Sequence, residues 1–118
     1  MRKRWIGRWL MAIGVLHIAL GLFTYRRTFA GMLSSGVWNT LAGHPDRELS
    51  FWFVVSGWGL LFGGGLLDRL ETADVPLPQW AGWALLAVAG IGILAEPMTG
   101  FWALVPPAIG TLRRAGTV

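Results

Sequence analysis

Between Trp5 and Tyr25 the chain runs through an apolar stretch with His17 near its middle. A neutral imidazole carries one donor and one acceptor, and both need partners where lipid or packed side chains replace water. Such a residue can contact a ligand, hold a metal or relay a proton. It can equally serve structure, by hydrogen bonding to a hydroxyl, an amide or a carbonyl of a neighbouring helix, and residue type leaves both readings open. Gly14 and Gly21 lie three and four positions from His17 and make part of the same helical face small enough for another backbone to approach. His17 is therefore expected to point toward a neighbouring helix and to find its polar contact there.

A second set of polar residues comprises Asn39, His44, Asp46, Arg47, Glu48 and Glu96. With Trp38, Trp52 and Trp102 as apolar walls, His17, Asn39, His44 and Glu96 make a candidate ligand pocket. Histidines and carboxylates are metal-ligand types, but their spacing matches no metal motif and they come from separate segments, so no metal is expected. Glu96, at the end of a helix where the macrodipole opposes it, would draw a cation such as Arg26, Arg27 or Arg47. The chain has no cysteine, which excludes disulfides, thiolate catalysis and cysteine-bound clusters. No nucleophile–base pair, phosphate loop or dinucleotide fingerprint is present, so no cofactor is expected. Catalysis, if any, would fall to His17 as general acid or base on a lipid-like substrate. Pro106 and Pro107 withdraw the usual amide donors from the carbonyls of Trp102 and Ala103, which then need other partners. In transporters such carbonyls face substrate, whereas in a plain kink a side chain or water fills the gap.

The elements that must position these groups are read as membrane spans. Of 118 residues, 54% are hydrophobic and 14% charged, well outside the usage of soluble domains. The Lys and Arg residues are dispersed around apolar segments instead of forming a stripe, which argues against nucleic acid as a partner and for topology signals. A helix over residues 5–25 would be about 31 Å long, close to a bilayer's hydrocarbon thickness. Further spans are expected over 49–67, 79–95 and 100–112, in a single domain covering 1–118. Trp5, Trp9 and Tyr25 suit the headgroup zones at the two ends of the first span. Residues 28–41 are too polar to span, yet Phe29, Met32, Leu33, Val37 and Leu41 recur at helical spacing, the pattern of an interfacial helix on the outer leaflet. Gly43-His44-Pro45-Asp46 then opens the next helix. Gly59 and Gly63, four apart, offer a small face for helix packing or self-association.

The positive-inside rule places Arg2, Lys3, Arg4, Arg8, Arg69, Arg113 and Arg114 in the cytoplasm and Arg26, Arg27 and Arg47 outside, with both termini and the loop 68–79 cytoplasmic. A basic start before an apolar core is also the layout of a signal peptide. The first run is long and Trp-flanked, however, and lacks a small-residue cleavage site.

With these segments placed, the residue pattern resembles a family of small, uncharacterised bacterial four-helix integral membrane proteins, a domain of unknown function. The resemblance runs nearly end to end through Leu16-His17 and Gly21, Val37-Trp38-Asn39-Thr40, Gly43-His44-Pro45, Phe51-Trp52-Phe53, Asp68, Leu77-Pro78, Gly82-Trp83, and Gly100-Phe101-Trp102 with Pro106. It implies four spans and no established activity. The small multidrug exporters share this size, but they rely on a carboxylate within the first span, where this chain carries His17 and no acid. The expectation is an all-α membrane protein, a four-transmembrane-helix bundle with a short outer amphipathic helix, multi-pass in a bacterial cytoplasmic (inner) membrane. Its leading function would be binding, or transport, of a small apolar or amphipathic molecule. An accessory subunit of a membrane complex is the alternative and a membrane enzyme the third. The expected partners are the bilayer, a small hydrophobic ligand, and a second copy or another membrane protein.

Overall fold

A computed structural model describes residues 3–116. Arg2 and the two chain ends, which entered the topology expectation, lie outside the described residues. The ordered elements of the described residues are all helical, joined by turns and loops: α1 (Ile6–Thr24), α2 (Arg26–Ser35), α3 (Pro45–Thr72), α4 (Gln79–Ala95), a 3-10 turn (Gly100–Leu104) and α5 (Val105–Arg113). Among them, α1 with 19 residues and α3 with 28 are long and apolar enough to cross a membrane. α4 is apolar but has 17 residues.

Local chemistry sets these boundaries. α3 starts at Pro45, whose fixed φ and missing N–H suit a first turn. The carbonyl of His44 accepts the N–H groups of Arg47 and Glu48, at 3.1 and 3.0 Å. Asp46 and Glu48 face the positive end of the helix dipole and Arg69 the negative end, so α3 extends beyond the apolar core of residues 49–67 in both directions. The amphipathic pattern over 28–41 becomes a shorter helix that stops at Ser35. Gly36 follows at φ 95°, and turns run on to Gly43 at φ 77°. The fourth apolar segment is likewise not one helix. Pro106 and Pro107 lie in the first turn of α5, where absent N–H groups cost nothing, and the residues before them wind as a 3-10 turn.

The chain forms two compact units, one of Met1–Met11 with Phe62–Val118 and one of Ala12–Leu61. In the first, the start of α1 packs on the end of α3 at glycines. A Cβ at Gly64 would lie 2.7 Å from the Met11 nitrogen and 2.8 Å from the Gly7 oxygen, and a Cβ at Gly7 would collide with the backbone of Asp68 and Gly64. α4 packs in the same way, on α5 at Gly82, where Leu112 Cγ lies 2.7 Å from the virtual Cβ, and on the 3-10 turn at Gly92, which faces the Phe101 ring. Ile6, Leu10, Leu67, Leu77, Ala89, Leu104 and Ala108 are its buried apolar residues. Leu77 also donates its N–H to the Arg114 carbonyl at 2.9 Å and accepts the Gly116 N–H at 3.0 Å, tying the loop before α4 to the end of the chain.

In the second unit, α1 and α3 meet at Gly14 and Gly57. A Cβ at Gly14 would lie 2.8 Å from the Gly57 oxygen and 2.7 Å from the Leu61 nitrogen. Ser50 is fully buried, and its hydroxyl donates to the Arg47 carbonyl at 3.0 Å. The packing glycines of α3 are therefore Gly57 and Gly64. Nothing lies within 4 Å of a Cβ built at Gly59 or Gly63, the pair that small-residue spacing nominated.

Candidate functional site

His17 lies in the second unit with its ring stacked on Phe53, centroids 3.9 Å apart and planes 15° from parallel. Phe53 also meets Tyr25 edge-on at 5.6 Å. The register follows from glycine: a Cβ at Gly21 would sit 2.7 Å from the Phe53 ring, so the absent side chain lets that ring slide along α1 toward His17. Facing α3 matches the expected orientation. The expected polar contact is missing, because His17 Nε2 is buried and has no hydrogen-bond partner among the described residues. An unpaired buried polar atom of this kind costs about 1–3 kcal/mol. An imidazole nitrogen can donate or accept a hydrogen bond, according to tautomer.

The other nominated residues have different surroundings. Asn39 is exposed with φ 51°, a left-handed backbone that asparagine tolerates better than most residues, so its place in Val37-Trp38-Asn39-Thr40 is explained by the turn. Trp38 beside it is 94% exposed. His44 is exposed and occupies the cap position of α3. Trp52 is exposed and stacks edge-on with Phe51 at 5.2 Å. Arg47 donates to the carbonyl and hydroxyl of Thr40, at 3.2 and 2.8 Å, and Arg26 lies 4.7 Å over the Phe23 ring. Glu96 and Trp102 belong to the first unit. There the Glu96 side chain is exposed, its carbonyl accepts the Thr99 hydroxyl at 2.7 Å, and Trp102 Nε1 donates to the Pro97 carbonyl at 2.8 Å. The structure thus joins His17 to Phe53, which in turn meets Tyr25. In the sequence Phe53 is one member of an aromatic run, and its spacing gives no sign of the stack.

The carbonyls freed by the two prolines are satisfied. The Trp102 oxygen accepts the Val105 N–H, and the Ala103 oxygen accepts Trp9 Nε1 at 2.8 Å. Of the two readings, the plain kink describes this segment, with the Trp9 indole as the side chain that fills the gap at Ala103.

The first unit holds a charged cluster that residue type alone did not reveal. Glu71, whose side chain is 2% exposed, accepts the backbone N–H groups of Trp5, Ile6 and Gly7 at 3.1, 3.2 and 2.7 Å. Arg114 Nη1 donates to the same carboxylate at 2.7 Å and also to the Lys3 carbonyl. These amides are the orphan donors of the α1 N-terminus, and the carboxylate supplies the cap that Arg4 and Trp5 cannot. Asp68, one turn earlier on α3, lies 3.5 Å from Arg4 and 3.6 Å from Arg8. No group of three or more metal-ligating side chains occurs among the described residues.

A helical chain with two helices long and apolar enough to cross a membrane is the class that the fold defines. The chain belongs to DUF6463, a family of unknown function, whose model matches residues 1–117. Among curated proteins and among solved structures, none matches it.

Proposed function

We propose that this is a non-enzymatic integral membrane protein that binds a small amphipathic molecule at His17. The observation that carries the proposal is the buried, unpartnered Nε2 beside a stacked Phe53 ring: a polar contact point in an apolar wall, the combination that fixes a ligand's orientation. In this proposal α1, α3, α4 and residues 100–113 all cross a bacterial inner membrane, the last two by local thinning or burial among neighbours. Both termini are cytoplasmic and residues 26–43 lie along the outer leaflet. Outward-facing apolar side chains support immersion in lipid. Phe62 and Leu94 are 73% and 86% exposed within the isolated chain, and Leu16, Phe23 and Ile91 are similarly bare.

The test is chemical. Protein purified in mild detergent from its host membrane should yield, on solvent extraction and mass spectrometry, a small molecule that His17→Leu protein lacks. His17→Gln, which keeps hydrogen bonding but does not titrate, should retain it. Identical extracts from wild type and a folded His17→Leu variant would sink the binding proposal. Retention by Gln together with turnover lost would favour the acid–base enzyme. The open face at Gly59 and Gly63 supports a second reading, an accessory or self-associating subunit whose partner helix lies against α3 there.

A further inference from the structure

Beside the start of α1 in the first unit lies an open groove of about 350 Å³ lined by Trp5, Pro106, Ile109, Gly110, Arg113 and Arg114. Pro106, Ile109, Gly110 and Arg113 fall at i, i+3, i+4 and i+7 along α5, so they form one stripe on that helix. Glycine at 110 leaves room for the Trp5 indole, since a Cβ there would come 2.6 Å from Trp5 Cζ2. The stripe is apolar from Pro106 to Gly110 and ends at Arg113, about 10 Å along the helix from Pro106. No acid lines the groove. Arg114 is committed to Glu71 and the Lys3 carbonyl, whereas Arg113 is exposed and makes no ion pair among the described residues.

We propose that this groove holds one anionic phospholipid, with its phosphate at Arg113 and an acyl chain along Ile109 and Pro106 beside Trp5. The proposal rests on the membrane placement above. Charge and apolarity together select the occupant. A guanidinium matches phosphate geometry, an adjoining apolar stripe suits hydrocarbon, and an indole is favoured at the boundary between the two. A free anion would use the arginine and leave the stripe unfilled. A zwitterionic headgroup would bring an ammonium toward Arg113 and Arg114, with no acid in the groove to receive it.

The test uses full-length protein in nanodiscs of phosphatidylglycerol, phosphatidylcholine or their mixture, released into native mass spectrometry, with inorganic phosphate as competitor. Wild type should retain phosphatidylglycerol in preference to phosphatidylcholine. Arg113→Gln should weaken that preference about fivefold, the scale of one basic contact at a membrane surface. Ile109→Trp, which fills the stripe without altering charge, should also lower retention, and circular dichroism should report both variants as folded. Equal retention of the two lipids, or an unchanged preference in Arg113→Gln, would overturn the proposal and leave Arg113 as a partner of the α5 dipole alone. Displacement of the lipid by millimolar phosphate would overturn it too, in favour of a simple anion site. Alkaline carbonate extraction separates the two levels: release from membranes would refute the membrane placement itself, whereas retention without lipid preference would refute only the lipid site.

Discussion

Removing the Glu71 carboxylate should be among the most damaging single changes in the first unit. Glu71→Ala strips the cap from the Trp5, Ile6 and Gly7 amides and leaves Arg114, whose side chain is 18% exposed, without its counter-ion. Breaking one side of a buried pair costs about 3–5 kcal/mol, because the remaining charge stays desolvated. Glu71→Gln is the sharper test. It keeps the volume and one acceptor oxygen while losing charge and one of the two oxygens that divide the amides, so about 1–2 kcal/mol should be lost. Thermal unfolding in detergent followed by tryptophan fluorescence gives the order wild type, Gln, Ala. Hydrogen exchange should show the three amides losing protection before the middle of α1 does. If Glu71→Ala unfolds within about 0.5 kcal/mol of wild type, below the usual loss from removing a helix cap, or if those amides stay protected, the capping role is refuted.

Gly64→Ala and Gly14→Ala should each cost about 1–3 kcal/mol, since the new methyl meets backbone that cannot rotate away, whereas Gly59→Ala should be neutral or stabilise by up to about 1 kcal/mol through helix propensity. Equal effects at positions 59 and 64 in denaturant titrations would contradict the observed register. A cysteine at Thr72 should resist an impermeant thiol reagent in intact cells while one at Ser35 reacts, and labelling at 72 from outside would reverse the proposed topology.

The sequence by itself determined the all-helical class and much of its punctuation. Hydropathy runs of helical length, Pro45 with Asp46 and Glu48 at a helix start, and Pro106 with Pro107 at another are local signals, and local sterics and dipoles enforce them. The glycine register was also present in the chain: Gly7, Gly14 and Gly21 recur every seven residues, as do Gly57, Gly64 and then Glu71, nearly two turns each, so each set stays on one face. Gly59 and Gly63 offer a competing small face at four-residue spacing, and spacing alone cannot say which small face meets a neighbour. Only tertiary structure decided that. The cap of α1 comes from a carboxylate 64 to 66 residues along the chain, and the Ala103 carbonyl is paired by an indole 94 residues away. His17 presents the converse case, an imidazole whose burial was foreseeable from its apolar flanks but whose neighbour was not. The pairing of α1 with α3 placed a Phe53 ring against it where a hydrogen-bond partner was expected, because stacking needs only the space that Gly21 leaves, while a polar contact needs a donor or acceptor at the right height on the opposite helix.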